Sequence, residues 1–315
     1  MNVLVTGGAG FIGRWIVKKF LENEHSVFVI DNLKVGHKEN LEEFESNPKF
    51  KVVYGDILDK ELLKKIFENK FDICIHAAAQ IHVQDSIDDP LTNFDINVNG
   101  TINVLELCKA NNVKFISVGT SMVYDTTDTE KNINEEHPVK PASPYAASKL
   151  AAEYIALAYY LTYGLPVVLL RPINTYGPFQ YYEGYEGGVI IRFLRRKLTG
   201  NNLQVYGDGT QERDFIYVED CADFIYDATF SDKTVGEIIN AGSGKGVQIK
   251  DLAKLIVKDE SKIEFAKHPH PQSEIKRLVF DSTKAMKMFG WKPKFTLEQG
   301  LEKTERWVES TLQTS

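Results

Sequence analysis

Short runs of consecutive apolar residues alternate with longer stretches that repeat every three to four positions through the first half of the chain. The runs at 3–6, 27–31, 51–54, 73–76, 115–118 and 167–170 predict buried strands, and the periodic stretches at 12–23, 61–68, 98–110 and 145–163 predict amphipathic helices. Strands separated by helix-length crossovers pair in parallel, because a parallel neighbour needs a right-handed return across the sheet. The expected class is therefore α/β, a Rossmann-type doubly wound parallel sheet. After Arg171-Pro172 the texture changes to Gly-, Tyr- and Pro-rich loops, with helices expected at 189–199, 219–229, 250–257 and 297–311. The reading divides the chain into a dinucleotide-binding domain over 1–170, rejoined by about 211–242 because 238–242 reads as another strand, and a smaller C-terminal α/β substrate-binding lobe, mainly 171–315.

Composition narrows the partners. Lys and Arg number 37 against 44 Asp and Glu, a net charge of -7 over 315 residues, which gives no general attraction to nucleic acid or anionic membranes. No apolar run approaches the roughly 18 residues a membrane span needs, and the start of the chain lacks the pattern of a secretory signal. Cys74, Cys108 and Cys221 are widely spaced and form no Cys-x-x-Cys pair, so reduced, buried thiols in a cytoplasmic protein are expected, and no metal site. The basic cluster Arg192, Arg195, Arg196 and Lys197 falls in a predicted helix and reads as a solvated face.

The chemistry begins at Gly7-Gly8-Ala9-Gly10-Phe11-Ile12-Gly13, which follows the first strand and opens the first helix. Glycines in that turn let backbone N–H groups and the helix N-terminus approach a pyrophosphate that a Cβ would keep away. The second strand ends in Asp31-Asn32, where an acid meets the adenosine ribose; with no arginine directly following, NAD is favoured over NADP. Asp56-Ile57 and Ala77-Ala78-Ala79 follow the third and fourth strands, as small or polar residues beside a flat cofactor should. Asp56 also reads as a helix cap, and His76 reads better as a satisfied core histidine than as a site residue.

Tyr145 and Lys149 stand at i and i+4 on one helix face, and Gly119-Thr120-Ser121-Met122 follows the fifth strand to the same sheet edge. A free phenol, with a pKa of about 10, is a poor base at neutral pH. A nearby ammonium and a cationic nicotinamide both favour the phenolate, so Tyr145 suits proton abstraction from an alcohol as hydride leaves the same carbon. Thr120 would orient that alcohol and stabilise the developing carbonyl.

These motifs, with Asn97-Val98-Asn99-Gly100, Arg171-Pro172-Ile173-Asn174-Thr175-Tyr176-Gly177-Pro178, Gly207-Asp208-Gly209 and Arg213-Asp214-Phe215-Ile216-Tyr217-Val218, resemble the extended short-chain dehydrogenase/reductase family in its sugar-nucleotide epimerase and dehydratase branch. The resemblance covers nearly the whole chain. It implies that Asn97 lies at the cofactor site and that Asn174 and Arg213 meet the nucleotide diphosphate, a local cation in an otherwise acidic chain. It also implies that Val189, Val205 and Tyr206 hold base and ribose, that Glu274 binds ribose, and that Ser121 and Met122 border the sugar. Val205 and Tyr206 read equally well as strand core. The segment 268–274 departs from the family's usual Arg-Pro-Gly-Asp pattern. Members of the family commonly dimerise through the helices matching 98–110 and 145–163, with Tyr154, Leu157, Tyr159 and Leu161 as the candidate surface here.

Position 122 bears on the reaction. Dehydratases and decarboxylases of this branch usually carry a glutamate there, whose carboxyl exchanges protons in the dehydratases; the thioether of Met122 cannot. The expectation is an NAD-dependent 4-epimerase of a UDP-hexose, with UDP-glucose and UDP-galactose first. UDP-GlcNAc/UDP-GalNAc stays open, since Leu278 stands where the family associates a bulky aromatic with excluding N-acetyl sugars and a small residue with admitting them. A 4,6-dehydratase and a non-catalytic NAD-dependent sensor remain as alternatives. The 181–188 loop reads either as a lid or as a mobile loop.

Overall fold

A computed structural model describes residues 1–125, 131–180, 188–267 and 275–314. The first half builds β1 (Asn2–Thr6), α1 (Phe11–Glu22), β2 (Ser26–Asp31), β3 (Phe50–Tyr54), α2 (Lys60–Phe67), β4 (Ile73–His76), α3 (Val83–Asp88), α4 (Pro90–Phe94), α5 (Gly100–Asn111), β5 (Lys114–Val118), α6 (Pro144–Tyr163) and β6 (Val167–Pro172). The second half follows with β7 (Asn174–Tyr176), α7 (Val189–Leu198), β8 (Leu203–Tyr206), β9 (Glu212–Arg213), β10 (Phe215–Tyr217), α8 (Val218–Phe230), β11 (Ile238–Ala241), β12 (Val247–Gln248), α9 (Ile249–Ile256), β13 (Ile263–Ala266), β14 (Arg277–Leu278), α10 (Thr283–Phe289) and α11 (Leu297–Thr314).

Seven strands form one parallel sheet in the order β11-β6-β5-β4-β1-β2-β3. Both faces are covered, which explains why its strands read as unbroken apolar runs. Val3 and Val5 face one core with Ile16 and Phe20 of α1 and Phe224 of α8, while Leu4 faces the other with Leu63 of α2 and Val104 and Leu105 of α5. Strand order reverses beside β1, so the C-terminal ends of β1 and β4 open a crevice there. Among the described residues the rest of the chain adds three small sheets, β7 with β10, β9 between β12 and β14, and β8 with β13, mostly over a separate core, although Ile216 of β10 and Leu278 of β14 join that of the main sheet.

The long α6 is set by local signals. Ser143 caps it through Ala146 N–H at 3.2 Å, Pro144 occupies its first turn, and Gly164 ends it with φ 70. Between α4 and α5, residues Asp95–Asn99 form a π-helical turn that points Asn97 inward. Cys74, Cys108 and Cys221 are all free and buried.

Candidate active site

Two cavities lie side by side at the C-terminal edge of the sheet. The larger, about 770 Å3, runs from the β1–α1 turn to Tyr145 and Lys149. The smaller, about 260 Å3, is walled by β7, β8, β9, β10 and α7, and Gln180 and Gly188 border both.

Backbone geometry shapes the larger cavity. Gly7 adopts φ 73, and a Cβ there would come within 2.6 Å of the Ala78 nitrogen; a Cβ on Gly13 would overlap the Gly7 carbonyl. Gly10 precedes α1 with no side-chain cap, so the first N–H groups of that helix are left to a ligand. Gly7, Gly10, Phe11, Ile12, Gly13, Asp31, Asn32, Asp56, Ile57 and Ala77 to Ala79 all border this cavity. Asp31 accepts Ala9 N–H at 2.9 Å and Leu33 N–H at 2.8 Å; burial pushes its carboxyl up and these bonds pull it down. Asn32 donates to Asp56 at 2.8 Å, tying the ends of β2 and β3 together.

Asn97 does not line this cavity. Its amide accepts Gln80 N–H at 2.8 Å and donates to Ser148 Oγ at 2.9 Å, and Ser148 donates to the Tyr145 carbonyl at 2.9 Å. Asn97 therefore ties the segment after β4 to the first turn of α6. His76 is a core residue, bonded to Thr6 at 2.8 Å and Thr101 at 2.9 Å and pushed down to about 3 by burial, so it is neutral.

Tyr145 and Lys149 enter the cavity from the first turns of α6. Lys149 Nζ donates to the Val118 carbonyl at 2.8 Å, and burial pushes it down to about 8, opposed by Glu153. Burial pushes the Tyr145 phenol up, and the nearby Thr120 hydroxyl pulls it back. Thr120 and Ser121 are buried beside Gly119, which borders the cavity; the Thr120 hydroxyl accepts Met122 N–H at 3.3 Å. The side chain at 122 brings no ionisable group to this turn.

Asn174, Val189, Tyr206 and Arg213 line the smaller cavity. Asn174 donates to the Asp214 carbonyl at 2.8 Å, and Arg213 to that of Ile275 at 2.6 Å. Val205 is fully buried in the apolar core and does not line it: successive strand residues face opposite ways, so β8 turns Tyr206 to the cavity and Val205 inward. Leu278 is likewise core, 1% exposed and in register with Arg213, and lines neither cavity. Glu274 and residues 181–187 lie outside the described residues.

The basic cluster on α7 is not simply a solvated face. Arg192 turns into the cavity wall over the Tyr206 ring, 5.5 Å from its centroid, while Lys197 pairs with Glu305 at 2.5 Å. Sequence reasoning also missed Gln204, Gln211 and Phe215 in this cavity, and Gln80, Asn93 and Gln180 in the larger one. Three of them carried a signal: Gln204 in its alternation with Val205, Phe215 within the segment that follows Arg213, and Gln80 directly after Ala77 to Ala79 at the end of the fourth strand.

Among known proteins, a family profile described as GDP-mannose 4,6 dehydratase matches residues 4–304. A curated relative named putative UDP-glucose 4-epimerase, from Methanocaldococcus jannaschii, is 37% identical over 99% of this chain and 100% of its own. The solved structure of Pal from Bacillus thuringiensis is 49% identical with a TM-score of 0.95, covering 99% of this chain and 100% of that one. That of UDP-glucose 4-epimerase with UDP-glucose from Thermotoga maritima is 34% identical with a TM-score of 0.92, again covering 99% and 100%. Among the described residues no helix is long and apolar enough to cross a membrane.

Proposed function

The chain belongs to the extended short-chain dehydrogenase/reductase family, in its NAD-dependent sugar-nucleotide epimerase and dehydratase branch, and from that premise we propose that it inverts C4 of a UDP-hexose, UDP-glucose/UDP-galactose first. The observation that carries the choice of epimerase is the turn 120–122, which sets a hydroxyl beside Tyr145 and a thioether where a dehydratase would place a carboxyl. The larger cavity fits NAD: a glycine turn without room for a Cβ, an uncapped helix start, and Asp31 at the end of β2.

In this reading Gly7, Gly10, Phe11, Ile12 and Gly13 hold the pyrophosphate, Asp31 and Asn32 the adenosine ribose, Asp56 and Ile57 the adenine, and Ala77 to Ala79 the sheet side of the cofactor. When bound, NAD+ supplies the hydride acceptor and the donor for its return. Tyr145 takes the proton of the sugar 4-hydroxyl, the 4-keto sugar turns over, and Tyr145 gives the proton back, so no net oxidation occurs. Thr120 orients the hydroxyl, with Ser121 beside it. Lys149 holds the nicotinamide ribose and, as a cation, favours the phenolate, against the penalty that burial imposes.

Asn174 and Arg213, joined by Arg192, meet the diphosphate, and Val189 and Tyr206 border base and ribose. Residues 1–170 thus serve mainly the cofactor and 171–315 mainly the sugar nucleotide, Gln211 and Arg213 included, while β11 rejoins the main sheet without lining the larger cavity. The exposed Tyr154 and Leu161 on α6 support a homodimer through α5 and α6, whereas Leu157 and Tyr159 pack partly into their own core.

Proton NMR of the purified protein with UDP-glucose in D2O tests the reaction. A gluco/galacto mixture with no deuterium in the sugar is the expected result. A 4-keto-6-deoxy product labelled at C5 would show dehydration instead.

A further inference from the structure

Behind Lys149, one turn further along α6, lies a carboxylate to which the epimerase reaction gives no part. Glu153 is 1% exposed, and its Oε2 accepts both Arg171 Nε at 2.9 Å and Arg171 Nη2 at 2.6 Å. Its Oε1 is buried with no hydrogen-bond partner among the described residues. A carboxylate present only to neutralise a buried guanidinium gains most from a fork-to-fork pairing that engages both oxygens. Here one oxygen is left over, and it presses on Gly119: a Cβ on that glycine would overlap it. Gly119 is the residue before Thr120, and it is fixed from the other side by its N–H donating to the Leu170 carbonyl at 2.6 Å. Tyr145, Lys149 and Glu153 repeat at four-residue intervals, so one helix face carries phenol, ammonium and carboxylate in a row.

We infer that Glu153 is a positioning residue that sets the pH window of the Tyr145–Lys149 pair, by holding a buried negative charge one turn behind Lys149 and against the Gly119–Thr120 turn. The inference rests on the reading of Tyr145 as the base and Lys149 as its cation. Burial pushes the Glu153 carboxyl up, and the Arg171 guanidinium bonded to it holds it toward the charged form; that charge acts on both groups in the same direction, disfavouring the phenolate and favouring the ammonium. The other charged and titratable groups around Lys149 are few. β6 contributes Arg171, and β4 contributes His76, which is neutral. β5 contributes only the Val118 carbonyl, and the turn after it Tyr124, whose ring lies under the Arg171 guanidinium at 4.8 Å. Asp85 and Asp88 of α3 stand on the cavity wall, and Glu106 of α5 is taken up by Lys109 at 2.8 Å. Glu153 is therefore the one buried anion on this helix face among the described residues.

The experiment compares pH–rate profiles of NAD-loaded wild type, Glu153→Gln and Glu153→Asp, alongside the pH dependence of tyrosinate absorbance in each, with Tyr145→Phe as the blank. In Glu153→Gln both limbs of the profile and the Tyr145 tyrosinate signal move to lower pH by on the order of one unit, the size expected of one charge a turn away at an effective dielectric constant of about 20. Glu153→Asp, which keeps the charge, restores the wild-type positions. Slower turnover in Glu153→Gln with unmoved limbs would overturn the inference and leave Glu153 a packing residue. Should the unpaired Arg171 prevent that variant from folding, the double variant Glu153→Gln/Arg171→Met removes both charges. Because the compensating cation goes with it, a smaller shift in the same direction is expected there, Glu153 standing on the helix of Tyr145 and Lys149 and Arg171 on β6, and a shift to higher pH would overturn the inference. A wild type whose tyrosinate signal matches Tyr145→Phe would remove the base assignment and the inference together, whereas a Tyr145 signal that ignores Glu153→Gln removes the inference alone.

Discussion

The two cavities at the sheet edge are built from different materials. The larger is shaped by main chain: glycines that leave no room for a Cβ, an uncapped helix start, and carboxylates held by backbone N–H groups at strand ends. The smaller is shaped by side chains, Asn174, Arg192, Tyr206, Gln211 and Arg213, brought together from separate elements. A site made of backbone tolerates changes of side chain and fails when a Cβ is added. A site made of side chains behaves the opposite way.

Gly13→Ala should have the largest effect. The added methyl overlaps the Gly7 carbonyl, and cofactor affinity measured by calorimetric titration should fall on the order of 100-fold, about 3 kcal/mol. An alanine variant that binds NAD like wild type would mean that backbone closeness does not define the larger cavity. Arg213→Met comes next. Losing a charge-assisted bond to phosphate costs roughly 1.5–3 kcal/mol, so KM for the sugar nucleotide should rise about 10- to 100-fold while NAD affinity holds. An equal loss of NAD affinity would show that the two cavities are one energetic unit. Val205→Ala should be the mildest for function. It removes two buried methyls at roughly 2 kcal/mol, lowering Tm by a few degrees with KM unchanged. A shift in KM of more than a few-fold would restore Val205 to the cavity wall.

The same contrast governs what could be read from the sequence. The glycine turn, Asp31, Asp56 and Ala77 to Ala79 each sit at the end of an apolar run, and the rule that ligands bind at the C-terminal strand ends is enough to gather them into one site. The long helices were equally legible, because Ser143, Pro144 and Gly164 punctuate α6 in plain sight. Less legible was the segment 83–99. Asp88-Asp89-Pro90 interrupts its periodicity, so the short helices and the π-helical turn that bring Gln80, Asn93 and Asn97 together left no repeating signal. On α7 a basic run concealed that Arg192 faces inward. Val205 and Tyr206 carry their own lesson: neighbours on a strand cannot line the same wall, and the alternation Leu203, Val205 inward with Gln204, Tyr206 outward was present in the sequence.

The place of β11 bears on how the chain is made. Six strands of the main sheet are available once residue 172 has been synthesised, but the outer edge of β6 is paired only by Ile238–Ala241, tens of residues later. Until then a nascent chain carries an open row of main-chain donors and acceptors beside the buried run Val167 to Leu170, an invitation to mispairing between neighbouring chains. Truncation anywhere before residue 238 therefore leaves a sticky sheet, not a smaller working one.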